Sequence, residues 1–87
     1  MKVINKPIEM IAFTNCDGGI QPLMIRVLGK DKKKHTYDVL KITRTEKEKL
    51  AGNIMLRFFC QLDIDGNTRD CLIKFEKDTT RWTLFKI

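Results

Sequence analysis

The sequence predicts an all-β fold, a small antiparallel six-stranded barrel of SH3-like or split type, built from hairpins. Three observations lead there. Two Asp-Gly turns, Asp17-Gly18 and Asp65-Gly66, each sit between alternating apolar runs. Asp-Gly in that setting is a strong hairpin signal, because a type I′ turn needs positive φ at both central residues. Six such runs follow one another with short polar connections. At 87 residues, closure of the sheet removes the unpaired edges that invite aggregation. An OB-like or open two-layer arrangement is the second expectation.

The first strand is expected over about Pro7 to Thr14 and the second over Ile20 to Leu28. A two-residue loop at Asp17-Gly18 sets Met10 against Ile25 and Ala12 against Leu23 on one face. Glu9 against Arg26, Ile11 against Met24 and Phe13 against Pro22 lie on the other. Pro22 has no N–H to give a ladder and belongs near a strand end or an edge. Gly29 and the polar run Lys30 to His35 form an exposed loop. The third strand, Thr36 to about Arg44, changes apolar phase from Tyr37 and Val39 to Leu40 and Ile42, which signals a bulge or sharp bend.

Residues 46–51 are expected to make one short helical turn. Thr45 and Glu48 fit a capping box, Gly52 suits the left-handed residue that ends a helix, and Leu50 anchors the turn to the barrel. Strand four, Ile54 to Ile64, places Leu56, Phe58, Cys60 and Leu62 on one face; strand five, Thr68 to Lys77, answers with Cys71, Ile73 and Phe75. A two-residue loop at Asp65-Gly66 sets Cys60 directly against Cys71, and one residue of slip turns every side chain over. Strand six is Arg81 to Ile87.

Composition fits one ordinary globular domain over residues 1–87, with 43% hydrophobic and 32% charged residues. No apolar run approaches the roughly 20 residues of a membrane span. The segment MKVINKPIEM has no apolar h-region, so no secretory signal is expected. Three cysteines without scaffold spacing fit a reducing cytoplasm, with Cys60 and Cys71 as reduced core neighbours. No C-x₂₋₄-C pair supports zinc. Gln61 and Leu72 would occupy the first and last ligand positions of a calcium loop around Gly66, which excludes that motif. No nucleophile elbow or phosphate loop is present, and the single histidine, His35, lies in a lysine run. An enzyme, a metal or cofactor, and a small-molecule substrate are therefore not expected, and a chain this small is expected to leave little room for a shielded pocket.

Charge is unevenly placed. Positions 26 to 49 hold nine Lys or Arg and four Asp or Glu, a local net of +5 out of +6. Lys30, Lys32, Lys33, Lys34, Lys41 and Arg44 form the candidate nucleic-acid-binding set, for DNA or RNA. Solubility alone also favours lysine-rich loops. Apolar residues on the outer faces form the second candidate set. Ile11, Met24, Phe59 and Leu72 face away from the main core and are expected to be exposed for contact with another protein or a second copy. Phe59, flanked by Arg57 and Lys74, also has the setting in which β-barrels stack bases. Trp82 fits core packing better than Phe59 does, and Phe85 fits either role.

The segments Asp17-Gly18-Gly19-Ile20-Gln21-Pro22-Leu23-Met24-Ile25-Arg26, Glu48-Lys49-Leu50-Ala51-Gly52-Asn53, Phe59-Cys60 and Trp82-Thr83-Leu84 together resemble a family of small uncharacterised all-β proteins. These come from low-GC Gram-positive bacteria, some encoded on conjugative or other mobile elements. The resemblance spans nearly the whole chain. It implies a cellular context, in which annotations point toward recombination or transposon accessory roles, and it leaves function open, because its motifs are turns and core.

Overall fold

A computed structural model describes residues 1–87. Six antiparallel strands follow in chain order and close into a barrel: β1 Val3–Thr14, β2 Ile20–Leu28, β3 Lys34–Leu50, β4 Asn53–Ile64, β5 Asn67–Glu76 and β6 Arg81–Lys86. Each strand pairs with its sequence neighbour, and β1 closes on β6. Two long strands turn the corners. Residues of β1 from Val3 to Ile8 pair with β6, and those from Glu9 to Thr14 pair with β2. Likewise β3 pairs with β2 from Lys34 to Asp38 and with β4 from Val39 onward.

The corner of β3 is built from two bulges. The register against β4 shifts between Val39 and Lys41 and again between Ile42 and Arg44, leaving Leu40 and Thr43 as extra residues. Each extra residue flips the facial phase once, as the change of apolar phase anticipates. Thr43 anchors its bulge by donating from its hydroxyl to the Phe59 carbonyl at 3.0 Å.

The β4–β5 register is the one expected. Leu56 faces Phe75, Phe58 faces Ile73, and Cys60 faces Cys71, with the thiol sulfurs 3.3 Å apart. Asp65 and Gly66 both have positive φ, 51° and 86°, as a type I′ turn requires. Phe58, Cys60, Leu62, Cys71, Ile73 and Phe75 join Ile25 and Leu84 in the interior. The Trp82 ring lies 4.6 Å from Phe75 and 5.7 Å from Phe58, at the flank of that core.

Two expectations are corrected. The first concerns the β1–β2 turn. Met10 does face Ile25 and Ile11 does face Met24, but a bulge then sets Ala12 against Pro22 and Phe13 against Gln21. The loop spans residues 15–19: Gly18 N donates to Asn15 O, and the Asn15 side-chain oxygen accepts from Asp17 N and Gly19 N. Asn15 thus organises a longer loop in which only Gly18 needs positive φ, 83°.

The second concerns residues 46–51, which are strand and not a helical turn. Lys47 faces Leu56, Lys49 faces Ile54, and Ala51-Gly52 makes a two-residue turn with φ of 49° and 83°. One turn of helix is unstable alone, and a full ladder along β4 satisfies the same backbone groups.

Pairing between β2 and β3 stops at Met24 and Asp38, so the tip of the β1–β2 hairpin diverges from the far half of β3. That end of the barrel opens into a cavity of about 380 Å³ lined by Ile20, Ile54, Leu56, Phe58 and Phe75. No helix is long and apolar enough to cross a membrane.

Candidate nucleic-acid interface

The two β3 bulges decide where the basic residues point. Val39 and Ile42 pack against the core, so Lys41 and Arg44 stand on the outer face, opposite Gln61 and Phe59. Arg44 lies over the Phe59 ring, its guanidinium carbon 4.1 Å from the centroid. Arg57, two residues along β4, approaches the same ring at 5.4 Å. Glu46 holds both arginines, at 3.2 Å to Arg44 and 3.4 Å to Arg57. The Arg57 Nε is buried and has no hydrogen-bond partner.

A second cation–aromatic group stands on β6. A register shift between β5 and β6 pairs Leu72 with Lys86 and Ile73 with Leu84, leaving Phe85 between them. The Lys74 ammonium sits 3.7 Å from the Phe85 centroid and Lys86 sits 5.7 Å from it. Neither lysine has a carboxylate within ion-pair distance. Strands β4 and β6 are two strand spacings apart, about 10 Å, with Leu72 of β5 between them. One outer face therefore carries two aromatic rings, each under two cations.

The remaining basic residues are elsewhere. Lys30, Lys32 and Lys33 are exposed in the β2–β3 turn, and Lys34 begins β3. Lys34 and Arg26 both bind Glu9, at 3.0 and 2.8 Å. Hydrogen bonds from Arg26 and then Lys34 hold the Glu9 carboxyl down at about 2. Asp31 accepts from His35 Nε2 and from Lys33 N, which lowers its pKa. A stretch continuous in sequence is thus split in space. The turn and Lys34 belong to the β1–β2–β3 side, and Lys41 and Arg44 to the Phe59 face.

The apolar set also divides. Ile11 is 60% exposed and Met24 half-buried on the first hairpin, while Phe59 is half-buried beneath the arginines. Leu72 corrects the expectation of exposure, at 1%. It lies on a central strand, flanked by Phe59 on β4 and Lys86 on β6, so the protein's own side chains cover it. Cys16 is exposed at the first hairpin while Cys60 and Cys71 are buried, and no group of His, Cys, Asp or Glu side chains gathers in a metal-holding arrangement. The hydrogen bond from Cys60 and burial together hold the Cys71 thiol far above the usual thiol range.

The sequence sets Arg57 and Lys74 beside Phe59 on the outer face, where the structure pairs them directly, yet the candidate nucleic-acid set contains neither. The opposed pair was itself the available signal. Lys86 had none, since its position depends on the β5–β6 register shift. Comparison with protein-family models, with curated proteins and with solved structures gave no match.

Proposed function

We propose that this chain is a non-catalytic nucleic-acid-binding module that takes single-stranded DNA or RNA across the outer face of β3 to β6. The observation that carries the reading is the pair of cation-capped rings, Phe59 with Arg44 and Arg57, and Phe85 with Lys74 and Lys86. Single-stranded nucleic acid is held by aromatic or guanidinium planes that stack bases and by cations that track phosphates. Arg44 offers both in one side chain. Lys41 extends the cationic track along β3, and the lysines at 30, 32 and 33 supply longer-range attraction.

Fluorescence anisotropy with labelled 15-mers of thymidine and uridine tests this at 50 mM salt. Micromolar binding is expected, with log K falling against log salt at about −0.7 for each phosphate neutralised, so roughly −3 for four contacts. Phe59→Ala and Phe85→Ala should each cost about 1–3 kcal/mol of binding. Lys30→Glu/Lys32→Glu/Lys33→Glu should weaken binding less than either. Absence of binding at micromolar chain, or binding indifferent to both phenylalanines in folded variants, refutes the reading.

A second reading, contact with another protein or a second copy, is favoured by the first hairpin. Ile11, Phe13 and Leu23 are 60, 55 and 43% exposed there. Sedimentation at high concentration tests self-association, and a strictly monomeric chain removes the homo-oligomeric form of this reading.

A further inference from the structure

We propose that the open end of the barrel binds a small amphipathic anion, an aliphatic monocarboxylate whose chain enters the cavity and whose head group sits between Lys47 and Lys77. The site is independent of the nucleic-acid face. It exists because β2 and β3 stop pairing at Met24 and Asp38, which leaves the tip of the β1–β2 hairpin standing off the far half of β3. Gly18, Gly19 and Ile20 form one wall, Thr45 and Lys47 the opposite wall, and Ile54, Leu56, Phe58 and Phe75 the floor. At about 380 Å³ the space falls within the size range of small-molecule sites, and barrel mouths are a recurrent place for them.

The lining selects the chemistry. Lys47 faces Leu56 across the β3–β4 ladder, while Lys77 donates its amide to the Ile54 carbonyl at 2.9 Å. The two lysines therefore bracket β4 from either side, and both line the cavity. Neither ammonium has a carboxylate within ion-pair distance, and no Asp or Glu lines the cavity. Such a mouth is complementary to an anionic head group.

The interior argues for an aliphatic body over a nucleobase or sugar. The amides of Gly18 and Gly19 are already donated to Asn15, at 3.1 and 2.8 Å. Beyond the two ammonium groups, Thr45 is the one polar side chain in the lining. A buried base or sugar edge would be left without partners, at a cost that a hydrocarbon chain does not incur.

Trp82 gives the experiment its readout. It is the single tryptophan of the chain, and its ring stacks against Phe75 and Phe58, both of which line the cavity. The wild-type chain is titrated with decanoate below its micellar concentration, and in parallel with octanoate and with decyltrimethylammonium. Trp82 emission and calorimetric heat are followed together. Saturable one-to-one binding of decanoate is expected, with Kd on the order of 0.1 mM for a ligand of this size.

Removing two methylene groups should weaken binding about tenfold. Lys47→Glu/Lys77→Glu should weaken decanoate by about tenfold or more without weakening the ammonium probe. Both lysines are exposed, so this variant does not threaten the core. Thr45→Phe, at an exposed strand position where an aromatic is well tolerated, should fill the mouth and abolish binding of both chain lengths. The proposal is overturned if decanoate does not bind below millimolar concentration, if octanoate binds equally well (a surface anion contact), or if decyltrimethylammonium binds as tightly as decanoate. Retention of binding in Thr45→Phe with a native circular dichroism spectrum overturns it as well.

Discussion

The β4–β5 and β1–β2 hairpins carry the same Asp-Gly dipeptide near their tips and lie in opposite surroundings. Strands β4 and β5 supply seven of the nine buried hydrophobic residues, whereas β1 and β2 together supply Ile25. Number of neighbours explains the difference better than hydrophobicity does. Strand β5 is paired along both edges, with β4 on one side and β6 on the other. From Glu9 to Thr14, β1 pairs with β2 alone, and the start of β2 pairs with β1 alone. Apolar side chains on that projecting ribbon, such as Ile11 and Phe13, have no second strand to cover them. In β5 even the outward Leu72 is covered. A residue's place in the sheet, and not its type, decides whether its outer face is wet.

Thiol labelling gives the largest expected contrast between the hairpins. Cys16 is exposed beside the first loop, whereas Cys60 and Cys71 are buried at 2 and 1% exposure. Labelling of the buried pair then requires opening of the central sheet, which for a domain of this size costs several kcal/mol. An alkylating reagent should modify Cys16 rapidly and the other two slower by roughly three orders of magnitude or more. Mass spectrometry reads one label in the native chain and three in denaturant. Equal labelling of Cys16 and Cys71 under native conditions would mean that the β4–β5 core is not the stable unit.

Core truncation comes next. Phe58→Ala removes a ring at 1% exposure that packs against Trp82, and should destabilise by about 3–5 kcal/mol, enough to unfold much of the population. Phe13→Ala removes an equal side chain from the first hairpin at 55% exposure, and should change stability by no more than about 0.5 kcal/mol. Urea melts of the two variants check the pair. Comparable losses would show that the first hairpin is packed against something.

These contrasts also explain which features the sequence made legible. Period-two alternation sets the inward face of the β4–β5 ladder, because a slip of one residue would put Phe58 and Ile73 on opposite faces, and the Asp65-Gly66 turn selects this register over the two-residue slip that keeps the same faces. The first loop escaped because Asn15 replaces a backbone turn with side-chain bonds, and because the extra residue beside Pro22 has no local signature. The far half of β3 read as a helical turn since Thr45, Glu48 and Gly52 are spaced as caps. Its ladder partners on β4 are up to 13 residues away in sequence, so a local signal lost to a longer-range one. The cation–aromatic face was half visible. Alternation sets Arg57 opposite Lys74, but two bulges in β3 and one shift in β6 bring Arg44 and Lys86 to the rings.

The two Asp-Gly turns can be separated directly. Asp65 has a φ of 51°, whereas Asp17 is not among the residues with positive φ, and its backbone amide is held by Asn15. Alanine in the left-handed region costs about 1 kcal/mol more than a residue suited to it. Asp65→Ala should therefore lower stability by about 1 kcal/mol, and Asp17→Ala by less than about 0.5 kcal/mol. If both substitutions cost the same in denaturant melts, the first turn is also of the two-residue type.

Acid gives the smallest effect and isolates the first hairpin. Arg26 and Lys34 hold Glu9 at about 2, below the ordinary 4.5, so its ionised form is favoured in the folded chain. The unfolded chain binds the proton more readily, and folding stability must fall as pH drops. The contribution is fully present above pH 4.5 and is lost as pH falls through that value toward 2. Because Glu9 is exposed at 52%, salt should screen the effect. Melting temperatures measured from pH 6 to pH 2 for the wild type and Glu9→Gln should converge in acid, with the wild type the more stable near neutrality at low salt. In 1 M salt the neutral-pH gap should shrink. A gap that stays constant across the whole range would show that Glu9 acts through packing on the β1–β2 ribbon and not through charge.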